Sequence, residues 1–242
     1  MSETKPLIAV TGASSGIGEA TARAFSAAGH PVLMMARRIE RMEAMGLPNS
    51  LARAVDVRER AALKAAVDEA EAQFGPTDLM FANAGIARLA DIGRQPPEEW
   101  DEMIDINTKG VMNTVHAVMS GMMARKRGTL VMMSSIAGRK VYPDHTVYCG
   151  TKFFVHAVSE SLREYLSAHD VRVIVISPGV IETEVLSGVL DAETLANYKA
   201  NKVKMGGGIG AEIVADLILN AYALPQNALV QEICLTPTRQ TY

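Results

Sequence analysis

Cysteine is scarce. Cys149 and Cys234 are the two in 242 residues and they form no CxxC pair, which removes a disulfide framework and a zinc knot from consideration. No metal site is expected, and a reducing cytoplasm is the expected compartment. No apolar stretch approaches the roughly 20 residues that a membrane-spanning helix needs, and residues 1–10 lack the basic leader and long apolar centre of a secretory signal. A soluble chain with no membrane partner is therefore expected. Basic runs are missing too: 24 Lys and Arg stand against 27 Asp and Glu, for a net charge of −3. Nucleic acid is thus not an expected partner, and a small-molecule substrate fits better. The 48% of hydrophobic and 21% of charged residues are the balance of an ordered globular chain. The length suits a single domain over residues 1–242.

Short apolar, β-branched runs alternate with longer segments of helical period, the pattern of βαβ units. Strands are expected at 7–10, 32–35, 51–55, 79–82, 129–133, 171–176 and 228–234. Their lack of polar alternation suits strands covered by helices on both faces, so the fold class is α/β, a doubly wound parallel seven-stranded sheet in a three-layer sandwich. Gly29 should close the first helix, whose apolar side reads Ile17, Ala20, Ala24 and Ala27. Gly75 and Pro76 should end the helix that begins near Arg58. Residues 181–210 interrupt this rhythm, with a glycine-rich end at 205–210 that suggests flexibility. The segment reads as a lid over a site or as a surface loop. The lid is favoured because the segment follows a strand whose carboxyl end should face a ligand.

Directly after the first strand come Thr11, Gly12, Ala13, Ser14, Ser15, Gly16, Ile17 and Gly18, and then a helix. Glycines there let the backbone approach a pyrophosphate, and the helix start offers unpaired N–H groups and a positive dipole end. The spacing is GxxxGxG rather than GxGxxG; its place between strand and helix is what marks a Rossmann-type dinucleotide site. Strand two ends in Ala36, Arg37 and Arg38, with no carboxylate before Glu40. An acid at this point suits the ribose 2′-hydroxyl of NAD, whereas arginines accept a 2′-phosphate, so NADP(H) is the expected cofactor. Asp56 and Val57 after strand three could meet the adenine, the carboxylate accepting its amino group. Asn83, Ala84 and Gly85 after strand four could admit the adenosine ribose.

Tyr148 and Lys152 stand one helical turn apart and share a face. A free phenol with a pKa of about 10 is a poor acid or base near neutrality, but a neighbouring ammonium favours the phenolate. Lys152 could also hold the nicotinamide ribose. Ser135, at the end of strand five, could hydrogen-bond the substrate oxygen while Tyr148 exchanges its proton. Ser134 competes for that role, but alternation along the strand puts the two serines on opposite sides.

At this point the chain resembles the short-chain dehydrogenase/reductase family over nearly its whole length, through Thr11 to Gly18, Ser135, Tyr148 and Lys152. The resemblance implies an oxidoreductase acting on CH–OH groups, and a tetrad completed by Asn107, which would bind a water linking Lys152 to solvent. Read without the resemblance, Asn107 is a helix amide bonding its own backbone. The family's NNAG segment appears as Ala82, Asn83, Ala84 and Gly85, a partial match. Pro178, Gly179, Ile181 and Thr183 look like its PGxxxT segment, which contacts the nicotinamide carboxamide. A homotetramer is also implied, with the segments 98–124 and 148–168 facing partner copies. Residues 36–38, 142–143 and 230–240 look like the subgroup acting on serine, other 3-hydroxy acids and small polar aldehydes. A carboxylate or sulfonate substrate would need an arginine, and Arg88 and Arg139 are candidates, as surface residues otherwise. His145 could line the pocket. Competing readings are a reductase of bulkier ketones, a reductase of 3-oxoacyl thioesters and a non-catalytic NADP-binding regulator.

Overall fold

The computed structural model describes residues 5–241. In chain order the elements are β1 (Leu7–Thr11), α1 (Gly16–Ala27), β2 (Val32–Ala36), α2 (Ile39–Glu43), β3 (Ser50–Ala54), α3 (Arg60–Phe74) and β4 (Thr77–Ala82). There follow α4 (Pro97–Ile104), a π-helical turn (Asp105–Lys109), α5 (Gly110–Arg125), β5 (Gly128–Met133), α6 (Thr146–Ser167), β6 (Val171–Pro178), α7 (Ala192–Lys204), α8 (Ala211–Tyr222) and β7 (Glu232–Leu235). The seven strands form one sheet in the order β3-β2-β1-β4-β5-β6-β7, and every neighbouring pair is parallel.

Alternation within each strand divides the core in two. Leu7, Ala9, Leu33, Met80 and Leu130 point to the side of α3, α5 and α6, where they meet Leu63, Val67, Val115 and Val155. Ile8, Val10, Met34, Phe81 and Val131 point to the other side, against Phe25 of α1 and Val214 and Ile218 of α8. Burial on both faces is why the strands read as unbroken apolar runs. The strand order reverses about β1, because β2 and β3 continue to one side of it and β4 to the other. The loops after β1 and β4 therefore diverge and leave a crevice at the carboxyl edge of the sheet.

Two local expectations need correction, and a third segment gains detail. The buried face of α1 is Gly18, Thr21, Ala22, Phe25 and Ser26, rotated from the alanine stripe, because Phe25 carries far more apolar surface than any alanine. The last strand is shorter than 228–234, since Ala228 turns back on Pro225 through a 2.8 Å backbone hydrogen bond. The 181–210 segment contains α7 and leaves and rejoins the sheet at one place. There Glu182 N donates to Ile209 O at 2.8 Å and Ile209 N to Val180 O at 2.9 Å.

Candidate active site

The carboxyl ends of β1, β2, β4, β5 and β6 border a cavity of about 520 Å³. At one end lie Gly12, Ser14, Ser15, Gly16 and Ile17 with Arg37 and Arg38; at the other lie Ser135, Tyr148 and Lys152 with Leu186 and Tyr198 of the 181–210 segment. The glycine loop is stitched to the loop after β4. Thr11 Oγ1 donates to Phe81 O at 3.2 Å and accepts from Asn83 N at 3.1 Å, while Asn83 Nδ2 donates to Thr11 O at 2.9 Å. Gly12 has φ +66°, and a Cβ there would sit 2.9 Å from Ala84 Cα. A Cβ on Gly18, which lines no wall of the cavity itself, would sit 2.4 Å from Gly12 O. Ala82, at the first position of the NNAG-like segment, is buried in the core, and Asn83 makes the tie between the two loops. The N-cap of α1 is Ser15, which makes no side-chain capping bond, so the first amides of that helix remain available at the cavity wall.

Arg38 spans the mouth of this end. Its Nη2 donates to Ser15 Oγ at 2.9 Å and to Ser14 Oγ at 3.2 Å, and its Nη1 to Glu184 Oε2 at 3.2 Å. Arg37 is exposed beside it. Asp56 borders the cavity with its carboxylate engaged by the amide and guanidinium of Arg58 at 2.6 to 3.1 Å. That guanidinium holds the carboxyl below its usual range. Val57 lines the same wall, and its carbonyl accepts from Asn113 Nδ2 at 3.0 Å.

At the far end, Ser135 Oγ donates to Pro178 O at 3.3 Å and accepts from Ala137 N at 3.1 Å. Tyr148 and Lys152 project from the first two turns of α6. Lys152 is 5% exposed, its Nζ donates to Met133 O at 3.0 Å, and it lies 5.6 Å from the centre of the Tyr148 ring. Burial brings the lysine down to about 8. Burial also pushes the Tyr148 phenol well above its ordinary value, against the pull of its hydrogen bond with Ser135. The ring sits in a largely apolar wall with Leu89, Leu186 and Tyr198, and burial sets the direction of its shift in place of the lowering expected from the ammonium. Ser134 faces away as alternation requires, with Oγ donating to Lys152 O at 3.1 Å and 2.8 Å from His156 Nδ1.

Asn107 lies in the π-helical turn and bonds a neighbouring loop rather than its own helix. Its Nδ2 donates to Ile86 O and its Oδ1 accepts from Ile86 N, both at 2.9 Å. Gly85 fits between Asn107 and Lys152, where a Cβ would lie 3.2 Å from Asn107 Oδ1 and 3.6 Å from Lys152 Nζ. Pro178, Gly179, Ile181 and Thr183 line the wall formed by the end of β6 and the segment after it. Arg88 also lines the cavity, packed against Gly188, with its guanidinium 2.9 Å from Glu102 Oε2. His145 lines it too, and its Nδ1 is 2.6 Å from Asp144 Oδ1. Arg139 does not line the cavity; Glu232 of β7 draws its guanidinium to the outside, with Nε donating to Oε1 at 2.7 Å.

Sequence reasoning missed Tyr198 and Gln240, which both line the cavity. Val180 N donates to Gln240 Oε1 at 2.9 Å, a contact spanning 60 residues of chain, and no local pattern announces it. Tyr198 had a weak signal, an aromatic residue within the segment that breaks the βα rhythm.

Comparison with known proteins follows the same lines. The chain is 32% identical to the NADP-dependent 3-hydroxy acid dehydrogenase YdfG of Salmonella typhimurium over 98% of its own length and 96% of that protein. It is 35% identical to the glycine betaine reductase ATRR of Emericella nidulans over 94% of its own length, but spans only 18% of that larger protein. Among solved structures, the closed form of serine dehydrogenase complexed with NADP+ superposes with a TM-score of 0.90 at 31% identity, covering 98% of this chain and 96% of that one. The pattern of the short chain dehydrogenase family matches residues 6–194. A match of that length, on this sheet and with these relatives, leaves one assignment: the chain belongs to the short chain dehydrogenase family of oxidoreductases.

Proposed function

We propose that the protein transfers a hydride between NADP(H) and a small alcohol or carbonyl substrate. The observation that carries this reading is that Ser135, Tyr148 and Lys152 share one cavity with an uncapped helix start and the Arg37 and Arg38 pair. The cavity suits a phosphorylated dinucleotide: Gly12 and Gly18 leave no room for side chains, the amides of α1 face anions, and two guanidiniums stand where a 2′-phosphate would need them. NADP named in the serine dehydrogenase complex and in YdfG supports the same choice. A bound nicotinamide would supply or accept the hydride at the substrate carbon.

The chain's own residues would handle the oxygen and its proton. Ser135 Oγ would hold the substrate oxygen, and Tyr148, protonated at neutral pH because burial raises it, would donate to that oxygen during carbonyl reduction. Lys152 would place a positive charge beside the phenolate left behind. Asn107 fixes the loop at Ile86 and, with Gly85, bounds the space next to Lys152. A 3-hydroxy acid or small polar aldehyde is the favoured substrate, because Arg88 lies on the wall and relatives named YdfG and sulfoacetaldehyde reductase 2 (Chromohalobacter salexigens, 33% identical) act on such compounds. A second reading, bulkier apolar carbonyl compounds, is favoured by the apolar wall of Leu89, Leu186 and Tyr198 and by the pairing of Arg88 with Glu102. The exposed Ile104, Met112, Phe153 and Tyr165 along α4 to α6 suit a homotetramer, which light scattering on a sizing column would test.

The test is a rate screen following NADPH and NADH oxidation with small aldehydes, keto acids and aryl ketones. Turnover of small polar carbonyl compounds with NADPH supports the proposal; turnover of aryl ketones alone selects the second reading, and no turnover of any carbonyl defeats both. Arg37→Asp should weaken use of NADPH far more than of NADH, and equal loss would remove the case for 2′-phosphate recognition.

A further inference from the structure

Glu184 lies at the start of the lid, directly after Thr183, and borders the cavity. Its carboxylate reaches across the mouth of the cofactor end to two arginines that follow β2. Arg38 Nη1 donates to Oε2 at 3.2 Å, and Arg41 Nη1 donates to Oε1 and Oε2 at 3.0 and 2.8 Å. The guanidinium of Arg38 is thereby divided, one edge on the hydroxyls of Ser14 and Ser15 and the other on Glu184. Thr183 sits against the start of α1, where a Cβ on Gly16 would be 3.0 Å from its methyl group. The acid is therefore anchored over the groove from both sides.

We propose that Glu184, held in place by Arg41, sets the affinity for the phosphorylated cofactor by competing with the ribose 2′-phosphate for Arg38. The inference rests on the NADP(H) reading above and adds to it a residue that works against tight binding. The two arginines hold the Glu184 carboxyl below its usual range, so it is ionised at neutral pH and repels a phosphate that approaches Arg38. A dianionic phosphate is a stronger acceptor than a carboxylate and draws Arg38 toward Ser14. When the cofactor leaves, Glu184 takes the N–H group back, so Arg38 is never left unpaired. The carboxylate thus weakens ground-state binding of NADP(H) and speeds its release, and it ties the first turn of the lid to the state of the 2′-phosphate site.

The test uses the full chain and adenine nucleotides that need no turnover. Titration calorimetry at low ionic strength, where exposed pairs are least screened, compares 2′,5′-ADP with 5′-AMP on the wild type and on Glu184→Gln. The expected result is a gain of about two- to fivefold in affinity for 2′,5′-ADP, the range that an exposed ion pair is worth, with affinity for 5′-AMP unchanged. NADPH release in stopped flow should slow by the same factor. Equal or weaker binding of 2′,5′-ADP by the variant overturns the inference, and a parallel change for both nucleotides assigns Glu184 a purely structural part and overturns it too. If the wild type itself does not prefer 2′,5′-ADP to 5′-AMP, the NADP(H) reading fails first, and the two failures are told apart by which protein shows them.

Discussion

The two edges of the sheet bury ionisable side chains in opposite ways. At the amino edge Asp78, 5% exposed, accepts from Arg127 Nε at 2.9 Å and from Tyr222 Oη at 2.6 Å. Arg172 there donates to Thr129 Oγ1 at 2.9 Å and to the carbonyls of Tyr222 and Leu224 at 3.0 and 3.1 Å. The Tyr222 ring meets those of Phe25 and His30 edge-on, at 5.5 and 5.6 Å. At the carboxyl edge Lys152 commits one donor to a carbonyl, and Tyr148 has a hydrogen bond with Ser135, with apolar neighbours and the His145 ring about it. A network in which each charge is matched several times over holds one arrangement. A sparsely matched pair remains free to take a new partner or pass a proton, which is what proton transfer at a substrate oxygen requires.

That contrast breaks most sharply at Tyr148. Tyr148→Phe should lower kcat by about 10²- to 10⁴-fold with melting temperature and dinucleotide binding retained. Normal turnover in steady-state assays would refute the acid role, and a fall in melting temperature would erase the contrast. Asp78→Ala is the mirror experiment at the other edge. It leaves the Tyr222 hydroxyl without its acceptor and the neighbouring guanidiniums without their acid, at a cost of about 2–4 kcal/mol in a urea titration, with kcat unchanged.

Smaller effects should come from pH, again opposite at the two edges. Carbonyl reduction should decline as pH rises through about 8, where Lys152 loses its charge; initial rates with saturating cofactor check this, and a flat profile to pH 9.5 would detach Lys152 from the chemistry. His30 is held below its ordinary value by burial. In the folded state it therefore binds fewer protons than the unfolded chain in the window just below pH 6.5. Its share of stability is present above that pH and is lost as pH falls through the folded value. His30→Gln should flatten that part of a denaturation-versus-pH curve and leave the activity profile alone.

The parts of this architecture that were legible in the sequence are those set by neighbours in the chain. The strands showed as continuous apolar runs because both faces are covered, and the glycine loop showed because three glycines mark the passage from a strand into the first turn of a helix. Tyr148 and Lys152 showed because one helical turn brings them together. What stayed hidden depends on chain that returns from far away. Arg139, after the serine loop, could be read as a substrate arginine or as a surface residue, and the choice is made by Glu232, which pairs with it across 93 residues. Glu184 and Gln240 reach their partners across 143 and 60 residues, and neither has a local signature. The face of α1 was misread for another reason: an alanine stripe carries period without much area, and a single Phe25 outweighs it.

The clasp between Val180, Glu182 and Ile209 has an architectural consequence. Because the excursion departs and re-enters at a single gate, a change in its length need not shift the strand register on either side, while Thr183, Glu184 and Leu186 keep it in touch with the cavity. A replacement of different length or composition, grafted beyond Glu184 and before Ile209, would keep Thr183 and Glu184 in place while changing the wall that Leu186 and Tyr198 give the cavity. Such a cassette gives a lineage built on this frame a route to new substrates that does not pass through refolding its sheet.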